Sequence, residues 1–246
     1  MPKLLIRRQD RTKEPETYYV ANPSQDYHCK HGRITAADLA KPDGSTVTTN
    51  TGIEFALLSA TFADTWSRLR RIPQSMIAKD IGMIITTCGI GKDSIVAEAG
   101  TGNASLATQL AHVCKKVITF EMKETHFQNA RKNIDALGLT NVDAHLGDII
   151  TDLAQKNFDA LILDVPEPWT VLDRAHAALK TGGWLVTYSP STTQVHKTHQ
   201  SLGEQWMWIK TTEIIARDWK ISERIVRPDN ISIGHTAFLS FIRKIQ

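Results

Sequence analysis

Short apolar stretches alternate along most of the chain with segments whose apolar positions recur at helical spacing. The stretches are 95–97, 117–120, 142–146, 158–163 and 184–188, and the helical segments are 104–113, 124–137, 171–179 and 195–202. Strand-like runs that each lead into an amphipathic segment predict βα units, and hence a parallel sheet with helices on both faces. The fold class is α/β.

The first 60 residues read differently. Tyr18-Tyr19-Val20, 26–29, 46–49 and 55–58 are β-prone, and Asn22-Pro23, Gly32, Pro42-Asp43-Gly44 and Gly52 punctuate them. Such spacing predicts a small antiparallel β-rich, barrel-like module over 1–60. A helical linker over 61–93 and a main domain over 94–246 complete the division. Near the end, 224–226 and 238–242 are separated by a loop too short for a parallel crossover, so they are expected to pair as an antiparallel hairpin.

Composition narrows the setting. Hydrophobic residues make up 41% of the 246 positions, and no run reaches the roughly 20 apolar residues of a membrane span. The N-terminus has only Leu4, Leu5 and Ile6 as an apolar core, short of an export signal. Cys29, Cys88 and Cys114 form neither a C-x-x-C pair nor a disulfide framework. The expectation is a soluble cytoplasmic protein without a bound metal. The formal charge of +3 neither demands nor excludes a polyanionic partner.

The sharpest local motif is Glu98-Ala99-Gly100-Thr101-Gly102-Asn103-Ala104-Ser105, between a predicted strand and a predicted helix. Glycines there let the backbone turn tightly and approach a ligand at the free N–H groups of the helix start. Nineteen residues beyond Gly102, Glu121 ends the next strand, where a carboxylate can accept from both hydroxyls of a ribose. A nicotinamide site prefers a third glycine and would suffer from Glu98 near its diphosphate. An acid at that place suits the cationic sulfonium and ammonium of S-adenosylmethionine. Asp148, closing the third strand, reads either as an acceptor for the cofactor's adenine amine or as a helix cap. Asp164 ends the fourth strand ahead of Val165-Pro166-Glu167-Pro168-Trp169, where the prolines stop strand and helix alike and hold the acid at the crevice. Trp169 reads as a packing residue or an aromatic wall.

Taken together, Lys79-Asp80, EAGTGNASL from Glu98, Glu121 with His126, Leu146-Gly147-Asp148, LDVPEPW from Leu163, Gln194-Val195 and His235-Thr236-Ala237-Phe238 resemble the tRNA (adenine-N1)-methyltransferases of the T-loop. Those enzymes act at position 58 and, in archaeal members, also at 57. The resemblance implies a Rossmann-like S-adenosylmethionine-dependent methyltransferase fold with a small N-terminal β module, tRNA as partner and a homotetramer. Glu98, Gly100, Thr101, Gly102, Asn103, Glu121, His126, Asp148 and Asp164 would touch the cofactor, with Asp164 also in the catalytic place. Ile77, Trp169, His235, Thr236, Arg68, Arg70 and Arg71 would meet the substrate. Lys3, Arg7, Arg8, Arg11 and Lys13 are further candidates for phosphate contacts. The chain departs from the family pattern at Ile77-Ala78, where an aromatic residue and a proline are common, and at Asn103-Ala104, where the loop usually carries serine and glycine. The second change is expected to be tolerable because Gly100 and Gly102 remain. Other readings stay open: a nicotinamide oxidoreductase, a methyltransferase acting on another RNA or on a small molecule, and a non-catalytic RNA-binding subunit.

Overall fold

The structure, a computed structural model, describes residues 1–7, 15–70, 75–230 and 233–246. It divides into two units, Met1–Leu69 with Arg217–Ile231, and Arg70–Ala216 with Ser232–Gln246.

In the first unit, β1 (Lys3–Arg7), β2 (Glu16–Val20), β3 (Tyr27–Cys29), β4 (Gly32–Ile34), α1 (Ala36–Leu39), β5 (Thr46–Thr48), β6 (Glu54–Ser59) and α2 (Phe62–Trp66) follow in order. Four strands pair antiparallel as β2-β1-β6-β5, and β3 pairs with β4. Alternate positions of these strands point inward, so Leu5, Val20, Val47, Phe55 and Leu57 meet Ile34 and Leu39 in one core. Thr61 and Asp64 close a capping box on α2, each side chain bonding the other's backbone N–H. The linker expected over 61–93 holds α2 and α3 (Ala78–Cys88), which ends on left-handed Gly89.

The second unit continues with β7 (Ile95–Ala99), α4 (Ser105–Val113), β8 (Lys116–Glu121), α5 (Glu124–Ala136), β9 (Val142–Leu146), α6 (Ile149–Asp152), β10 (Phe158–Leu163), a 3-10 turn at Pro168–Val171, α7 (Leu172–Ala178), β11 (Leu179–Ser189), α8 (Thr192–Gln200) and β12 (Trp206–Glu213). After β13 (Trp219–Ile221) and β14 (Val226–Pro228), both in the first unit, β15 (Phe238–Lys244) returns to the sheet. The seven-stranded order is β12-β15-β11-β10-β7-β8-β9. β7 to β12 all run in one direction, and β15, between β11 and β12, is antiparallel to both. β7, β8 and β10 are buried almost throughout, as strands covered on both faces must be, and so read as near-continuous apolar runs.

The expected terminal hairpin needs correction. β15 is antiparallel, but it lies between β11 and β12, while Val226 belongs to β14, paired with β13. Burial explains the choice. Leu239, Ser240, Phe241 and Ile242 are buried and need a strand on each side, whereas β14 is short and Val226 is exposed. Among the described residues no helix is long and apolar enough to cross a membrane.

Candidate active site

Parallel strands put their C-terminal ends on one rim, and the order β10-β7-β8 places three acids there at neighbouring tips: Asp164, Glu98 and Glu121. Glu98 is the anomaly of β7, a carboxyl 1% exposed on a central strand. Immediately beyond it the chain turns at Gly100, with φ of 91°. A Cβ there would sit 2.0 Å from the Asp164 carbonyl oxygen, and no side chain can occupy that space. The Asp164 amide donates to the Ala99 carbonyl at 2.9 Å, which ties the two tips together. Gly102, with φ of 58°, brings its N–H within 2.9 Å of Glu121 Oε2. The loop then enters α4 through Ala104, whose φ of 63° is left-handed. The exchange of the family's glycine for Ala104 is therefore accommodated at a backbone position that favours glycine, whereas two glycines alone were expected to supply the turn.

The three carboxyls differ in what surrounds them. Glu121 is held on both oxygens by backbone donors, Gly102 on Oε2 and Lys123 on Oε1 at 2.9 Å, with His126 Nδ1 4.0 Å from Oε1. Glu98 Oε2 is buried with no hydrogen-bond partner. Burial pushes the Glu98 carboxyl well above the usual range, and the carboxyls of Asp164 and Glu121 push it further. Burial also raises Asp164 to about 7, with the charge of Glu121 adding to it. No lysine, arginine or histidine is paired with Glu98 or Asp164 among the described residues. The crevice between them is walled by Gly100, Thr101, Gly102 and Asn103 and, from another part of the chain, by Ser75 and Met76. A buried anionic pocket without a resident cation, with room above a glycine, fits a cationic ligand.

Asp148 is the N-cap of α6, its Oδ1 accepting from Ile150 N at 2.9 Å, so it caps the helix with one oxygen. Gln194, near the start of α8, donates to the Pro166 carbonyl at 2.9 Å and pins the proline loop. Trp169 packs partly buried against the core, with Lys197 Nζ 4.0 Å above its ring. Lys79 donates to Asp80 at 2.7 Å and to Thr236 at 2.6 Å, and the Tyr188 hydroxyl donates to Asp80 at 3.2 Å. That network fixes Thr236 beside the rim. His235 is exposed and lies against the Glu213 carboxylate and the Pro190 carbonyl, which hold its imidazolium form above the usual histidine range. Ile77 is half-buried at the start of α3, and Arg68 and Arg70 are exposed. Arg71, Arg8, Arg11 and Lys13 lie outside the described residues. Among those described, no cluster of three or more metal-ligating side chains occurs.

Sequence reasoning missed Ser75, Met76 and Tyr188. None belongs to a motif with a spacing rule, and only the folded chain brings them to the rim.

The family model described as the tRNA methyltransferase complex GCD14 subunit matches residues 55–238. A curated relative from Methanocaldococcus jannaschii, the tRNA (adenine(57)-N(1)/adenine(58)-N(1))-methyltransferase TrmI, is 34% identical over 82% of this chain and 82% of its own. The solved tRNA (m1A58) methyltransferase TrmI of Aquifex aeolicus superimposes with a TM-score of 0.80 at 27% identity, covering 99% of this chain and 97% of that one. A SAM-dependent O-methyltransferase from Thermotoga maritima gives 0.84 at 26% identity, over 99% and 93%.

Proposed function

This chain belongs to the GCD14 family of tRNA methyltransferases, and from that premise we propose that it transfers a methyl group from S-adenosylmethionine to N1 of a T-loop adenine in tRNA, at position 58, with position 57 as the second candidate. The observation that carries the reading is the set of three strand-tip acids, two of them without a cation, around a crevice floored by Gly100. S-adenosylmethionine supplies an electrophilic methyl on a positively charged sulfonium. Glu98 and Asp164 supply the negative field for that charge. Glu121, oriented by the amides of Gly102 and Lys123, keeps lone pairs free for ribose hydroxyls, and His126 stands beside it. Asp148, capping α6 through Oδ1, offers its other oxygen to the adenine amine of the cofactor, and Thr101 and Asn103 line the remaining wall.

N1 of adenine carries its own lone pair, so the reaction needs alignment and charge stabilisation more than proton removal. Alignment alone can supply about 7–11 kcal/mol of a barrier. Asp164 accepts a hydrogen bond from the 6-amino group of the target base and stabilises the positive charge that develops on the ring. The base must leave its stack to reach the rim, at a cost of a few kcal/mol, offset by phosphate contacts from Arg68, Arg70, Arg71 and the N-terminal basic residues. Ile77, Trp169, His235 and Thr236 frame the entry. The enzyme works in the cytoplasm as a homotetramer, which multiplies the basic surface offered to one tRNA.

Incubation with an unmodified tRNA transcript and methyl-labelled S-adenosylmethionine, followed by nucleoside mass spectrometry, tests this. 1-Methyladenosine mapped to the T-loop supports the reading. Cofactor binding with no labelled nucleoside defeats it and turns attention to an oxygen acceptor, for which Asp164 would serve as a base.

A further inference from the structure

The two walls of the crevice come from distant parts of the chain, the glycine loop on one side and Ser75 with Met76 on the other. No strand pairing joins them. The glycine-loop wall is tied to α5 and to Arg70 by a set of asparagine amides.

Asn133 on α5 is 4% exposed. Its Oδ1 accepts from the Arg70 amide at 3.2 Å, and its Nδ2 donates to the Arg70 carbonyl at 3.0 Å and to the Asn103 carbonyl at 2.8 Å. Asn129, four residues earlier and so on the same helix face, donates to the same Arg70 carbonyl at 3.2 Å, and Asn103 does so at 3.4 Å. Three amides thus converge on one backbone oxygen. A primary amide is the neutral side chain that carries one acceptor and two donors in a plane, which is what reading the N–H and C=O of Arg70 while also holding Asn103 requires. Aspartate lacks the donors and alanine lacks both.

We propose that Asn133, seconded by Asn129, is a positioning residue for cofactor binding: it holds the Asn103 carbonyl to α5 beside Arg70 and thereby fixes the glycine-loop wall of the crevice. The proposal rests on the cofactor reading given above. It assigns α5 a role beyond covering the sheet, because this helix follows Glu121 directly and so carries both the ribose acid at its entry and the clamp on its buried face.

Isothermal titration with S-adenosylhomocysteine tests it on wild type, Asn133→Ala, Asn133→Asp, Asn129→Ala and a control, Asn141→Ala. Asn141 also spends its amide on two backbone carbonyls, Ala111 at 2.8 Å and Cys114 at 3.0 Å, but lines no part of the crevice. The Asn133 variants are expected to bind about tenfold more weakly or worse, the scale of one hydrogen bond. Asn129→Ala should lose less, and at saturating cofactor kcat should stay within a few-fold of wild type. Asn141→Ala should lower the melting temperature and leave the dissociation constant unchanged. Undiminished affinity in the Asn133 and Asn129 variants overturns the proposal, as does an equal loss in Asn141→Ala. Wild type that fails to bind S-adenosylhomocysteine defeats the cofactor reading itself, a result distinct from either.

Discussion

Glu16 on β2 and Glu98 on β7 carry the same carboxyl group in opposite company. Glu16 accepts from the Tyr18 hydroxyl at 2.6 Å, with His31 Nε2 at 2.7 Å and Lys30 and Arg7 beside it. The Lys30 ammonium chiefly, then Tyr18 and His31, pull it down to about 2. Glu98 has burial and two other acids, and is pushed the other way. The first carboxyl is neutralised by the fold and has no charge left to offer. The second is left uncompensated where a ligand can reach, and such a local conflict marks a functional site more often than an error.

The largest effect is expected at Asp164, the acid proposed to meet the target base. Asp164→Ala should lower kcat on the order of 10²–10³-fold, the cost of removing one preorganised electrostatic partner, while titration shows S-adenosylhomocysteine affinity changed only a few-fold. Unaltered turnover would mean that an uncompensated carboxyl on this rim is not by itself catalytic.

Next come substitutions that set the two glutamates directly against each other. Glu98→Gln removes a buried group whose ionisation the fold disfavours, so the ligand-free protein should melt at a higher temperature. Cofactor affinity should fall by about 2 kcal/mol or more, since one partner of a buried charge pair is gone. Glu16→Gln should do the reverse, lowering the melting temperature and sparing the cofactor. Differential scanning calorimetry with and without S-adenosylmethionine reads both, and shifts of the same sign would remove the contrast.

Acidity gives a third, smaller test. Asp164 lies near 7 in the folded chain, above its ordinary 3.8, so the native state holds a proton there that the unfolded state has released. Its contribution is complete below pH of about 3.8 and is lost as pH rises through 7, so the melting temperature of the ligand-free protein should decline over that window. Glu16 has the opposite sign. Its contribution is present above its ordinary 4.5 and is lost as pH falls toward 2. Affinity for S-adenosylmethionine, whose sulfonium charge Asp164 is proposed to face, should rise with pH toward and past 7, while affinity for the neutral thioether of S-adenosylhomocysteine should change less. Titration at several pH values checks this, and an affinity flat across pH 6–8 would contradict it.

How much of this was legible in the sequence follows from where each signal lies. β7, β8 and β10 announce themselves because burial on both faces leaves continuous apolar runs. Gly100, Glu121 and Asp164 were found because strand-to-loop junctions concentrate chemistry in a few consecutive residues. The place of β15 was not legible, since pairing partners are chosen by burial across the whole sheet. Nor was the Asn103, Asn129 and Asn133 clamp on Arg70, because an asparagine on a helix has the same one-letter signature whether it faces water or a backbone carbonyl 63 positions away.

The least effect is expected at Ala104, and its contrast with Gly100 separates the charges from the shape of the loop that frames Glu98. Gly100 and Ala104 both have positive φ, 91° and 63°. At Gly100 an added Cβ would strike the Asp164 carbonyl at 2.0 Å, so Gly100→Ala has to move the strand tip that carries Asp164, and both cofactor affinity and turnover should suffer. At Ala104 the Cβ is already housed, fully buried. Restoring glycine there relieves a left-handed strain of about 1–2 kcal/mol but forfeits a buried methyl of about 0.8 kcal/mol and about 0.4–1 kcal/mol of unfolded-state entropy. These terms nearly cancel, so Ala104→Gly should shift stability by less than about 1 kcal/mol in urea unfolding and leave cofactor affinity as it was. A larger loss would mean that the Ala104 methyl, and not the two glycines, holds the loop against the acids.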